Sequence, residues 1–181
     1  MRNSYVLTWS GQECSSHTYL YLCALFILYN QGMYKSEYME LAKKEALKAF
    51  KEDEVPIGCV IVKDGEVLAR AHNRKEKKND ATAHAEMECI RKASRKLGNW
   101  YLDGCELYVT LEPCIMCSGA IVNSRIEKVY YAAKDPKGGA FCSNMNIKDI
   151  KRLNHYPDSK FVEDKECIQM LKDFFKGKRA K

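Results

Sequence analysis

A chain of 181 residues with 46% apolar and 30% charged side chains has the composition of a soluble globular domain, long enough to bury one core without disulfide or metal staples. Its formal net charge of +6 favours polyanionic partners such as nucleic acid. Nine cysteines with one tight pair exclude a secreted disulfide framework and suit a reducing, cytoplasmic setting.

Residues 1–32 stand apart. They carry one Arg and one Glu, so the whole surplus of +6 belongs to residues 33–181. The apolar run Tyr19–Tyr29 has eleven residues, short of the ~20 that a membrane-spanning helix needs. No small-x-small cleavage site follows it, which argues against a signal peptide. The expectation is an unstructured or upstream extension, with Met33 as the natural start and a single folded domain over 33–181. A peripheral membrane anchor is the rival.

The elements then follow in order. Ser36 is placed to cap a helix with Glu37 and Glu40 in its first turn, and Tyr38, Leu41, Ala42, Ala46, Ala49 and Phe50 keep a helical period to Lys51. Ile57–Val62 reads as a buried strand. Asp64-Gly65 is a two-residue hairpin turn, returning as a strand over Glu66–His72. Residues 73–82 read as a polar loop. A second helix is expected from His84 to Leu97, ended by Gly98. A strand over Glu106–Thr110, a helix opened by Pro113 and running to Val122, and a strand over Lys128–Ala132 come next. Asp135–Met145 is a loop containing Gly138-Gly139. A short strand at Lys160–Val162 and a helix over Asp164–Lys176 close the chain. Helices alternating with strands after an opening hairpin imply an α/β layered domain with a mixed sheet.

Two segments carry chemistry, Thr82-Ala83-His84-Ala85-Glu86 and Pro113-Cys114-Ile115-Met116-Cys117. Each is weak alone. Together they supply an imidazole, two thiolates and a carboxylate, a ligand set for zinc with one position left for water. Cys114 and Cys117 share a face if helical, and Pro113 puts them in a first turn, where free N–H groups favour thiolates. His84 and Glu86, two apart, would point to opposite sides of an ideal helix. Both can serve one metal only if His84 stands at the very start of its helix, with Thr82 helping to cap that turn. Zinc brings the pKa of a bound water to about 7, and Glu86 is the group to shuttle its proton. His-x-Glu followed by Pro-Cys-x-x-Cys is the established signature of zinc nucleobase deaminases.

With these motifs in view, the chain from about Lys35 to Arg179 resembles the bacterial tRNA-specific adenosine deaminase family. The supporting segments are Glu54-Val-Pro-Ile-Gly58, the two zinc motifs within Thr82–Glu86 and Leu111–Ala120, Asn123-Ser-Arg-Ile126, Asp135-Pro-Lys-Gly-Gly139 and the terminal stretch Asp173–Arg179. The resemblance implies a three-layer α/β/α cytidine deaminase-like fold with a central mixed five-stranded sheet, a homodimer, and one zinc per subunit. It implies conversion of adenosine to inosine at the wobble position of an arginine tRNA anticodon. It also places Asn73, Ile57, Ala85, Asp135 and Asn154 among the substrate contacts, Asn73 on the adenine and Ile57 as a pocket wall. Ala81 and the run Phe141–Asn144 depart from the family pattern. Without the resemblance, Asn73 and Asp135 are ordinary turn formers.

The basic residues Arg70, Arg74, Lys75, Lys77 and Lys78, and Lys172, Lys176, Lys178 and Arg179 at the tail, are phosphate-contact candidates. An anticodon loop suits a site that needs its base unstacked, at a cost of a few kcal/mol in a duplex and less in a loop. Two other functions share the metal residues: a small-molecule base or nucleotide deaminase of the guanine or cytosine type, and a non-catalytic RNA-binding domain with a closed structural zinc. The last requires a fourth protein ligand, with Cys89, Cys59 or Cys142 available.

Overall fold

β1 (Gly58–Lys63) is buried along almost its whole length, which explains its continuous apolar run. The computed structural model describes residues 33–179, and the expectations for 1–32 lie outside the described residues. Alternate β1 side chains enter different cores, as the two-residue period of a strand requires. Cys59 and Ile61 join one cluster, Val60 and Val62 the other. Full burial of each such side chain stabilises the fold by roughly 1.5–3 kcal/mol.

α1 (Ser36–Lys51) covers the second cluster with Tyr38, Met39 and Ala42. Gly58 makes this close approach possible: a Cβ there would lie 2.0 Å from the Ala42 carbonyl oxygen. Ser36 does not cap this helix. Lys35 takes the capping position and supplies no side-chain bond.

β1 is paired antiparallel with β2 (Glu66–His72) across the expected turn, in which Asp64 (φ 49°) and Gly65 (φ 82°) both adopt the left-handed conformation of a primed hairpin. On its other side β1 pairs antiparallel with β3 (Cys105–Val109), which pairs in parallel with β4 (Lys128–Tyr131) and through it with β5 (Asp158–Phe161). The sheet order is β2-β1-β3-β4-β5. This is the mixed five-stranded sheet that the resemblance implied.

The stretch read as loop, 73–82, contains a short helix, α2 (Lys75–Lys78), ended by Asn79 at φ 49°. Polar composition concealed it, because its first N–H groups are satisfied from outside the segment, as described below. α3 (Ala85–Leu97) ends at Gly98 with φ 64°, as its sequence foretells. α3 and α4 (Ile115–Asn123) supply Ala85, Cys89, Ile121 and Val122 to the first cluster. α5 (Lys165–Arg179) lies on the opposite face, with Cys167 in the second cluster beside α1. The domain is therefore three-layered: α1 and α5, the sheet, α3 and α4. Predicted strand limits differ from the observed ones by one or two residues, and α5 runs on past Lys176 to Arg179. Among the described residues no helix is long and apolar enough to cross a membrane.

Candidate metal centre and active site

The geometric conflict between His84 and Glu86 is resolved by the start of α3. His84 is the capping residue, with extended backbone (φ −70°, ψ 155°), and its carbonyl accepts from Glu88 N at 3.0 Å. Its side chain thus leaves the chain before the helical twist begins, and Glu86 follows in the first turn. Thr82 is not the cap. It faces backward, its N–H and Oγ donating to Asp80 Oδ1 at 2.8 and 2.7 Å.

The second motif has the same design. Cys114 is the capping residue of α4 (φ −73°, ψ 173°) rather than a member of its first turn, and Cys117 lies in that turn. A helical face shared by both sulfurs is therefore not the device. One sulfur is at the cap and one in the turn, and both reach the space off the helix end. An isolated bridge pairs Cys114 with Gly139, and Ala140 N donates to Pro113 O at 2.9 Å, so the 135–143 loop braces the cap.

The two helix starts meet. Cys117 Sγ lies 3.5 Å and Cys114 Sγ 3.7 Å from His84 Nδ1. The three donor atoms all fall within 4.8 Å of one another. Among the described residues no fourth protein donor belongs to this group. Cys89 Sγ donates to the Cys59 carbonyl at 3.5 Å, and Cys142 is exposed and accepts from the Tyr131 hydroxyl. None of these three cysteines is grouped with His84, Cys114 and Cys117 among the described residues. One nitrogen and two sulfurs suit zinc with a position left over.

The three donors act on one another's protons. The hydrogen bond from Cys117 draws the Cys114 thiol down to about 4, with His84 adding to the effect against the cost of burial. Its bond to Cys114, with burial, pushes the Cys117 thiol up. The Cys114 sulfur raises the His84 imidazole above its ordinary value. Burial pushes the Glu86 carboxyl up, only partly opposed by His84. Glu86 is 3% exposed and its Oε2 is buried without a partner. A buried carboxyl oxygen left unsatisfied costs about 1–3 kcal/mol, so Oε2 is open to a hydrogen bond from a group that enters the site.

Asn73 reaches the same neighbourhood. Its N–H donates to Ile57 O, and Arg74 N donates to Ala83 O, both at 3.0 Å, so the end of β2 is tied both to the start of β1 and to the residue before His84. Asn73 is 3% exposed and its Oδ1 has no partner. Ile57 is half-buried against the first core cluster. Ala85, the first residue of α3, is wholly buried. Asp135 is half-buried, and its Oδ1 accepts from Lys137 N at 3.0 Å. A Cβ on Gly138 would lie 3.1 Å from Asp135 Oδ2 and 3.9 Å from Cys114 Cβ, which puts Asp135 near the cluster. Asn154 is exposed on the approach to β5 and takes part in none of these contacts.

Several of the predicted phosphate contacts are already paired. Lys77 meets Glu52 at 3.1 Å, Lys78 meets Glu88 at 2.6 Å and Lys178 meets Asp53 at 2.7 Å. Lys75 is close enough for its charge to act on His84.

A profile for the MafB19-like deaminases matches residues 33–179. The tRNA-specific adenosine deaminase of Aquifex aeolicus is 50% identical over 147 residues, 81% of this chain and 97% of the relative. The chain belongs to the tRNA-specific adenosine deaminase family. A solved tRNA wobble-position deaminase is also 50% identical, with a TM-score of 0.68 over 70% of this chain and 98% of that one. The guanine deaminase of Bacillus subtilis is more distant: 31% identity and a TM-score of 0.55 over 80% of this chain and 95% of that one.

Sequence reasoning missed two residues here. Glu54 and Glu112 are buried carboxylates, 1% and 2% exposed, each folding one loop beside the cluster. The available signal was an acidic residue among apolar neighbours just ahead of a proline, as in Glu54-Val-Pro56 and Glu112-Pro113.

Proposed function

We propose that this chain hydrolyses the amino group of adenosine to give inosine at the wobble position of a tRNA anticodon, with one zinc held by His84, Cys114 and Cys117. The observation that carries this reading is the meeting of three soft donors within 4.8 Å beside a buried, unpartnered Glu86 oxygen, in a chain half identical to tRNA-specific adenosine deaminases.

When held there, zinc supplies the Lewis acidity that makes water a strong nucleophile near neutral pH. The chain's own residues do the rest. Glu86, its proton affinity raised by burial, takes a proton from the attacking water at Oε2 and hands it to N1 of the adenine. The carboxylate then takes the proton of the new C6 hydroxyl and passes it to the amine, so that the C6 carbonyl forms as the C–N bond breaks and ammonia leaves. Asn73 Oδ1, an acceptor without a protein partner, takes a hydrogen bond from the bound base. Ile57 walls the pocket, the Ala85 backbone closes it, and Asp135 and Asn154 meet the flipped nucleotide and its neighbours. Lys75, close to the site, faces phosphate. A homodimer, an arginine tRNA and a cytoplasmic setting complete the reading on the strength of the family resemblance.

The test is a tRNA transcript with adenosine at the wobble position, incubated with the protein and assayed for inosine, against free guanine and cytosine as competing substrates. Inosine should form and should stop with a zinc chelator. Glu86→Ala should keep its zinc and lose turnover by at least ~10²-fold, the usual worth of an acid–base group. Ammonia release from free guanine with no inosine in tRNA would favour the small-molecule alternative instead.

A further inference from the structure

Glu54 is held from the end of α1, where Asp53 adopts φ 61° and Glu54 N donates to Ala49 O at 2.9 Å. Its carboxylate, almost wholly buried, meets three N–H groups. Oε2 accepts from Asn73 Nδ2 at 3.0 Å and from Glu76 N at 3.2 Å, and Oε1 accepts from Lys77 N at 2.7 Å. The last two donors belong to the first turn of α2, whose own capping residue, Arg74, gives no side-chain bond. A carboxylate from another element therefore supplies the missing cap.

We propose that Glu54 is the positioning residue for substrate reading: it sets which way the Asn73 amide faces and joins that amide to the α2 turn bearing Lys75. This rests on the reading of the site given above. An ionised carboxylate only accepts hydrogen bonds, whereas an amide carries donors on one atom and lone pairs on the other. Turning the Asn73 amide over would set oxygen against oxygen. The Nδ2 end is thus committed to Glu54, and Oδ1 is left on the other side, buried and without a protein partner. The backbone bonds from Asn73 N to Ile57 O and from Arg74 N to Ala83 O hold that oxygen where the start of β1 and the His84–Glu86 turn converge. The arrangement needs Glu and not Gln. Three donors converge on two oxygens, and an amide at position 54 would turn an NH₂ group toward them. With Gln there, the Asn73 amide has two comparable orientations, only one of which offers Oδ1 to the base.

The proposal is tested by a double-mutant cycle on wobble deamination, with zinc content measured for every variant. Glu54→Gln should lower kcat/KM by about 10–100-fold with zinc retained. Asn73→Ala should cost at least as much. The double variant should be no worse than Asn73→Ala alone, because Glu54 acts through that amide. Wild-type activity in Glu54→Gln, or two losses that multiply in the double variant, would overturn it. A second measurement needs no turnover: the Asn73 side-chain amide followed by ¹⁵N NMR in the wild-type protein. It should exchange slowly with solvent, as a buried, hydrogen-bonded NH₂ does. Exchange at the free-amide rate would overturn the proposal even if the protein makes no inosine, an outcome that would instead remove the activity reading.

Discussion

Glu54 and Glu112 each organise one loop beside the candidate metal cluster, but they use their oxygens differently. Glu54 meets two backbone N–H groups and one side chain, that of Asn73. Glu112 meets only its own loop. Oε1 accepts from the N–H groups of Phe141, Cys142 and Ser143 at 3.0, 2.8 and 3.0 Å, and Oε2 accepts from Asp135 N at 3.2 Å and from the Ser143 hydroxyl. That loop in turn braces Cys114 through Gly139 and Ala140. On the proposed function, one carboxylate serves the base-reading side of the site, the other the metal side. Defects at Glu54 should appear as lost selectivity or rate with the metal in place. Defects at Glu112 should appear as lost stability and weaker metal retention.

The largest expected effect is that of Glu112→Ala. It leaves four backbone N–H groups without their acceptor, each worth about 1–3 kcal/mol if it stays buried. Partial access of water to an opened loop brings the expected loss to roughly 3–5 kcal/mol, read by urea unfolding, with faster zinc release to a chelator. An unchanged zinc off-rate would separate the loop from the metal and break the comparison. The same carboxylate predicts a pH dependence. Burial raises its pKa, but the Ser143 hydroxyl and the loop N–H groups outweigh burial and hold it below the ordinary value of 4.5. Its stabilisation is therefore complete above about 4.5, and is lost as the pH falls through the lower folded value. Unfolding midpoints should drop on acidification below that point, and Glu112→Gln should flatten the drop.

Gly139→Ala should come next. A Cβ there would lie 2.4 Å from Glu112 Cδ and 2.7 Å from the Asp135 carbonyl oxygen, so either the carboxylate or the backbone must shift. Overpacking of this kind costs about 1–3 kcal/mol, and zinc release should again quicken. Wild-type stability would mean that the loop is softer than its hydrogen bonds imply. Ser143→Ala is the smallest, removing one of five donors to Glu112 for about 1 kcal/mol, with deamination unchanged. A loss of activity larger than the loss of stability would assign Ser143 a role on the substrate side and blur the division between the two loops.

The candidate metal cluster was legible because its residue types are rare and their chemistry is specific. Even the position of His84 at the head of its helix followed from an impossibility, since an ideal helix cannot aim residues two apart at one ion. The sharing of a helical face by Cys114 and Cys117 did not survive, because a capping residue has no helical direction. The buried carboxylates were not legible. Glu54 finds its donors 19 to 23 residues away and Glu112 finds its donors 23 to 31 residues away, and most of these are backbone N–H groups, which every residue type but proline carries alike. For the same reason α2 read as loop: its stabilising cap comes from Glu54, outside its own segment.

What the sequence by itself determined is what local physics controls. The periods of the helices and strands, the left-handed turn at Asp64-Gly65, the stop at Gly98 and the choice of candidate metal donors all depend on side chains and backbone preferences within a few residues. What only the tertiary structure decided is which groups meet across the layers: the imidazole Nδ1 with two sulfurs from another helix start, the Asn73 amide with Glu54, the 135–143 loop with Glu112. Those meetings depend on the packing of α1, α3 and α4 against the sheet. Packing selects among many equivalent N–H and C=O partners that are indistinguishable until the layers have closed.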